Sequence, residues 1–118
     1  MFNKIILMGH LTRQPELRYS TNGTPIASFG LACNRKFKQG EDLKEEVLFV
    51  DLVAFGKTAE IATQYLAKGS GVLAEGRLQQ QRWETEDGQK RSKHEVVVEH
   101  LTFLPKPGDR EAHHEEAS

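Results

Sequence analysis

Apolar residues along this chain recur chiefly at every second position, the period of a strand whose side chains point alternately to two faces. In Val47 to Phe55 one face reads Leu48, Val50, Leu52, Ala54, and the other Val47, Phe49, Asp51, Val53, Phe55. The first set is a natural core face. The second sets two large rings beside a carboxylate, an arrangement suited to holding something flat. Phe2 to Leu11 is an earlier strand with apolar residues on both sides, Phe2, Ile6, Met8 against Ile5, Leu7, so it needs cover on both. One cover is its own core, and the other is expected from a second subunit. Pro25 to Phe37 reads as a further strand, with Gly30 marking a bulge or sharp bend. Gly71 to Trp83 and Lys93 to Leu104 are the last two, joined through Glu86-Asp87-Gly88-Gln89, where Asp-Gly signals a turn.

The period changes after Gly56. Ala59, Ala62, Tyr65 and Leu66 recur at three and four residues, with Thr58 a suitable N-cap and Gly69 a suitable stop, which predicts one short amphipathic helix. Thr12 to Thr24, containing Asn22-Gly23, and the polar stretch Lys38 to Glu46 read as loops, the second a mobile one. Three strands, one helix, then two strands is the order of an all-β, five-stranded Greek-key OB-fold barrel with its helix between strands three and four. An SH3-like barrel is the alternative, but it lacks a helix in that place. Residues 1–104 would form the barrel domain. Residues 105–118, with Pro107, Gly108 and then charge, would form a flexible acidic tail.

A chain of 118 residues suffices for one core. Its formal charge of −1 argues at first against a polyanionic partner, but the charge is unevenly spread. Asp109, Glu111, Glu115 and Glu116 against Arg110 make residues 109–118 three units negative, which leaves residues 1–108 two units positive. That imbalance is a weak guide to partners, so the rings must carry the argument. The single cysteine, Cys33, excludes an internal disulfide and a cysteine-built zinc site, and it points to a cytoplasmic location. The apolar run Ile5 to Met8 is far too short for a signal-peptide core or a membrane span.

OB-fold barrels bind oligonucleotides on strands two and three and with the loops joining strands one to two and four to five. Those segments hold Phe37, Phe49, Phe55 and the hairpin from Trp83 to Lys93. Trp83 shares its strand face with Gln81, Gln79, Arg77 and Glu75, which is poor company for a core residue and good company for a ring stacked on a base. Phe37 is harder to place. Parity puts it with Phe29, Leu31 and Cys33, so a bulge or a strand running past the barrel edge is needed to turn it outward. Candidate phosphate-neutralising residues are Lys4, Arg18, Arg35, Lys36, Lys57, Lys68, Arg82 and Arg91, more credible as a group than singly. For any one of them a solvated surface charge is the ordinary alternative.

Asn3-Lys4-Ile5-Ile6-Leu7-Met8-Gly9, Pro15-Glu16-Leu17-Arg18-Tyr19, Asn22-Gly23, Phe55-Gly56-Lys57, Tyr65-Leu66-Ala67-Lys68-Gly69, Gly76-Arg77-Leu78 and Trp83 stand in a specific order and spacing. In these stretches the first 104 residues or so resemble the bacterial-type single-stranded DNA-binding proteins. The resemblance implies a homotetramer of OB-folds that binds single-stranded DNA without sequence preference, in replication, recombination and repair. It places the family's base-stacking aromatics on Phe37, Phe49, Phe55 and Trp83. Three departures stand out. Gln14 replaces the usual Asp of the first loop, and Gln79, Gln80 and Gln81 stand where basic residues are frequent. The family's acidic tip closes in Pro-Phe and recruits replication and repair proteins, whereas this sequence reads Glu115-Glu116-Ala117-Ser118, which weakens that expectation.

Other chemistry has little support. His10, His94, His100, His113 and His114 show no metal-ligand or acid-base spacing on a predicted rigid element, so neither a metal, a cofactor nor a catalytic residue is expected. Glu41-Asp42 and Glu45-Glu46 read as solvated loop charges, and Cys33 as a small core residue. Gly69-Ser70-Gly71 follows a helix, where a phosphate loop must precede one. The competing classes are an OB-fold adaptor whose exposed rings anchor another protein, and, last, an enzyme domain. Phe2, Ile6 and Met8 are the expected subunit contact.

Overall fold

The computed structural model describes residues 2–105, together with the backbone of residues 116 and 117. Seven strands and one helix follow in the order β1 (Ile5–Leu11), β2 (Glu16–Tyr19), β3 (Pro25–Gln39), β4 (Asp42–Phe55), α1 (Gly56–Tyr65), β5 (Gly71–Glu84), β6 (Lys90–Phe103) and β7 (Glu116–Ala117). Strands β1, β5, β6, β4 and β3 lie side by side in that order, and β3 returns to β1 through His10↔Ala32 and Leu11↔Leu31, closing a five-stranded barrel. The β4–β6 contact is parallel, at Leu52↔Val96 and Val53↔Val97, while the other pairs in the ring are antiparallel. This is the OB-fold barrel, with its helix in the expected place between the third and fourth barrel strands.

The core follows the alternation. Phe29, Leu31, Leu52, Ala54, Val72, Ala74, Val96 and Leu101 are buried together, and Ala59, Ala62 and Leu66 seat α1 on that cluster. Val53 was expected to face outward with Phe49 and Phe55, but it is buried in a second, smaller cluster with Ile26 and Val97 on the outer side of the sheet. Thr58 does not cap the helix. Phe55 holds the N-cap position without a side-chain bond, the chain turns at Gly56 with φ 64°, and Thr58 is buried inside the first turn. Cys33 packs against the core, and burial pushes its thiol above the ordinary range, in keeping with a packing residue rather than a nucleophile.

Four further features depart from the sequence expectation. Glu16–Tyr19, read as loop, pairs with β3 from Glu16↔Ser28 to Tyr19↔Pro25. The polar stretch 38–46 is a tight turn at Gly40 inside one long hairpin, since β3 and β4 stay paired without a break from Ile26↔Phe55 to Gln39↔Asp42. Gly30 therefore marks no bulge. A Cβ there would overlap Thr12 Oγ1, so its lack of a side chain admits the first loop against β3. The bulge lies instead between Glu75↔His100 and Gly76↔Val98, where β6 carries the extra residue Glu99. The first strand begins at Ile5, and Asn3 stands in for backbone pairing: its amide donates to Leu78 O at 2.8 Å and its carbonyl accepts from Leu78 N at 3.0 Å.

Gly9 lies where β1 closes on β3, and a Cβ on it would overlap the Ala32 carbonyl, a backbone group with no freedom to turn aside. Gly9→Ala is expected to destabilise the barrel by about 1–3 kcal/mol through overpacking. Urea denaturation checks this, and an unchanged midpoint would mean that the two strands do not approach so closely. Of the acidic segment expected at 105–118, residues 106–115 and 118 lie outside the described residues. Glu116 and Ala117 pair with Thr102 and Leu101 at the edge of β6.

Candidate nucleic-acid interface

Register fixes which side chains share the outer face of the sheet. Paired residues point the same way, so Arg18, Ile26 and Phe55 form one row, and Glu16, Ser28, Val53, Val97 and Arg77 the next. Gly30 with Asp51, then Ala32 with Phe49, continue the same face along the β3–β4 hairpin, and Asn34 with Val47 and Lys36 with Glu45 extend it into the projecting arm. On the β5–β6 hairpin the matching pairs are Gln79↔Glu95, Gln81↔Lys93 and Trp83↔Arg91. Phe49, Phe55 and Trp83 thus belong to one continuous outer surface. Their exposures are 70 %, 44 % and 48 %, far above those of the core rings and aliphatics.

At the end of this hairpin an open groove of about 400 Å³ is lined by Trp83 and Arg91 together with Arg82, Ser92, Glu84 and Lys90, the last four paired on the opposite face of the strands. A second hollow of about 240 Å³ lies where Thr12 and Arg13 of the first loop meet Gly30, Phe49 and Asp51. In the lining of this second hollow Asp51 faces two cations, with Arg13 Nη1 at 3.8 Å from Oδ1 and Lys93 Nζ at 3.4 Å from Oδ2. Sequence reasoning placed Asp51 on this face but missed both partners. Lys93 was discoverable, because it sits opposite Gln81, a parity mate of Trp83. Arg13 was not, because only the close passage of the loop at Gly30 brings it here.

The expected site residues divide. Arg18 flanks Phe55 through Ile26, Lys36 lies along the arm beyond Phe49, and Arg91 pairs with Trp83. Arg82 and Arg91 are exposed, and each donates to a nearby glutamine, Gln80 at 3.1 Å and Gln89 at 2.9 Å. Lys57 is exposed in the first turn of α1, and Lys4 is exposed just before β1. Lys68 does not join them, since it lines a separate groove with His10, Gly69, Gly71 and Leu104. Phe37 has been carried past the barrel by the length of β3, with no bulge. Its register partner is Lys44, on the face of Leu48 and Arg35, opposite to that of Phe49. Arg35 covers the Phe37 ring at 5.1 Å from its centroid and also meets Glu46 at 3.8 Å, both ends well exposed. The turn below Trp83 is pinned by Thr85 and Asp87, whose carboxyl is held below the usual range by the Thr85 hydroxyl and the Gln89 N–H.

The outer face of β1 is a different surface. Ile6 and Met8 are 57 % and 60 % exposed, and Phe2 is fully open, whereas Ile5 and Leu7 pack against the core. Among the described residues, Ile5–Gly9 pairs only with β5, so one hydrogen-bonding edge of β1 is unoccupied. No group of three His, Cys, Asp or Glu side chains gathers, and no helix is long and apolar enough to cross a membrane, among the described residues.

Residues 2–104 match the model of the single-strand binding protein family. The chain belongs to that family. It is 52 % identical over 109 residues to the single-stranded DNA-binding protein of Wolinella succinogenes, covering 92 % of this chain and 67 % of that protein. Its identity to the corresponding protein of Helicobacter pylori is 50 % over 110 residues, covering 92 % and 62 %. The chain thus spans roughly two thirds of the length of these curated relatives. Among solved structures, the Plasmodium falciparum SSB in complex with single-stranded DNA superposes with a TM-score of 0.81 at 26 % identity, covering 89 % of this chain and 97 % of that one.

Proposed function

We propose that this protein binds single-stranded DNA without regard to sequence and covers unpaired strands during replication, recombination and repair. The observation that carries the reading is the common outer face of Phe49, Phe55 and Trp83, exposed and interspersed with Arg18, Lys93 and Arg91. A base offers a flat face whatever its identity, so rings held in the open bind any sequence, while cations between them take the phosphates. Family relatives named for single-stranded DNA binding and a structural neighbour bound to single-stranded DNA support it. The role needs no chemical step and so calls for a non-enzymatic binding protein, and the single cysteine fits a cytoplasmic one.

Phe37 joins the track from the far side of the arm, which requires the strand to cross the hairpin. The working unit is a homotetramer, which lengthens the track, and the outer face and free edge of β1, with Phe2, Ile6 and Met8, form its subunit contact. Trp83 is the single tryptophan, so its fluorescence reports the site directly. Oligothymidine is expected to quench it strongly and a duplex of equal charge weakly, with log affinity falling by about 0.7 per neutralised phosphate against log salt. Absence of both quenching and retained oligonucleotide at low salt would overturn the reading.

A further inference from the structure

A carboxylate at the centre of a face that receives a polyanion needs a reason. Asp51 lies two residues from Phe49 on the same side of β4, and it lines the hollow beneath that ring. Each of its oxygens faces a different cation, Arg13 from the first loop at 3.8 Å and Lys93 from β6 at 3.4 Å. These distances exceed those of a tight charge-assisted bond, about 2.7–2.9 Å. All three side chains are close to half-exposed, so water and an incoming phosphate reach them. Such pairs are weak, of the kind that exchange readily. Arg13 and Lys93 come from segments far apart in sequence, and among the described residues Asp51 is the one carboxylate with which both form an ion pair.

We propose that Asp51 is a built-in counterion for the binding face: its carboxylate engages Arg13 and Lys93 in the free protein, and a DNA phosphate takes its place on binding. This rests on the single-stranded DNA reading above. The exchange has two consequences. Two central cations contribute less to affinity than their charge suggests, because each phosphate contact is made at the loss of an internal one. They also contribute less to the salt dependence, because the displaced carboxylate takes up counterions that offset part of those the DNA releases. Asp51 is thereby a positioning residue, acting through the two cations, and it keeps the centre of the track weak enough for a strand to be released or to shift.

The test compares oligothymidine binding by the wild-type protein, D51N and D51A across a salt series, with R13Q made in the wild-type and D51N backgrounds. D51N and D51A are expected to bind about three- to tenfold more tightly at low salt, the range that one removed charge near two phosphates gives in a watery setting. The gain should fade as salt rises, and the slope of log affinity on log salt should steepen, because no freed carboxylate is left to take counterions up. R13Q should reduce affinity by a larger factor in D51N than in the wild type. Unchanged or weaker binding by both Asp51 variants, with an unchanged slope, overturns the counterion role. Equal R13Q factors in the two backgrounds overturn the exchange as well, since they mean a field acting at a distance rather than a shared carboxylate. If the wild-type protein itself fails to bind oligothymidine, the nucleic-acid reading fails. If it binds and D51N merely parallels it, only the role of Asp51 fails.

Discussion

Replacing Phe49, Phe55 and Trp83 together with alanine is expected to weaken oligothymidine binding at least about a hundredfold, since each stacked base contributes about 1–3 kcal/mol and each 1.4 kcal/mol is tenfold. The three rings share one face by register, so a single strand can meet them in turn without leaving the surface. Phe49 and Trp83 stand open, and exposed substitutions of this kind change stability by only about 0.5 kcal/mol either way. A loss of affinity with an unchanged unfolding midpoint therefore belongs to the ligand. Phe55 is less simple, because it adjoins the small outer cluster of Ile26, Val53 and Val97, and its single variant needs the unfolding control. Gel shift or fluorescence polarisation with labelled oligothymidine measures the effect. A triple variant that binds like the wild type would remove the rings from the mechanism. Phe37→Ala separates the two sides of the arm: because its ring lies opposite Phe49 under Arg35, a loss for this variant alone would show that DNA crosses the hairpin.

How much of this was legible follows from where one side of a strand is dry. Barrel strands carry alternation because the core demands it, and Leu52, Ala54, Val72 and Ala74 reveal their inward faces directly. The helix was legible for the same reason, through Ala59, Ala62 and Leu66. Beyond the barrel both faces are wet. Glu16–Tyr19 and the flanks of the turn at Gly40, Lys38–Gln39 and Asp42–Glu46, are held as strands by hydrogen bonds to a partner rather than by a buried face, so their polar sequence resembled loop. Phe37 was ambiguous on the same ground: its parity is that of the core, but at its place along β3 there is no longer a core to enter. Val53 shows the opposite error, an outward position made dry by Ile26 and Val97 from neighbouring strands. The bulge at Glu99 is marked not on β6 but on its partner strand, by Gly76, where a Cβ would overlap the Val97 carbonyl, while Gly30 announced a close approach that resembles a bulge in sequence. The Arg13, Asp51 and Lys93 cluster joins three distant segments, and no local pattern records such a meeting.

Converting Ile6 and Met8 together to aspartate is expected to break the tetramer into smaller species, read as a fall in light-scattering mass at micromolar protein. Both side chains lie on the outer side of β1 while their neighbours Ile5 and Leu7 pack inward, so the change spares the barrel's own core. In an isologous contact each substitution acts twice, and fully burying an apolar side chain of this size contributes about 1.5–3 kcal/mol. Four such side chains per pair of subunits put the loss above what most interfaces tolerate, before repulsion among the new carboxylates is counted. The adjoining edge of β1, with Ile5–Gly9 paired only to β5 among the described residues, would offer the backbone half of the same contact. An exposed apolar strand with a free edge is otherwise an invitation to aggregation, so a soluble protein of this sequence needs that surface occupied. The variant also separates local binding from track length: the stacking face is untouched, so short oligothymidine should bind each subunit as before, while long oligothymidine loses the gain from linked sites. Mass and long-strand affinity both unchanged would place the subunit contact elsewhere on the molecule.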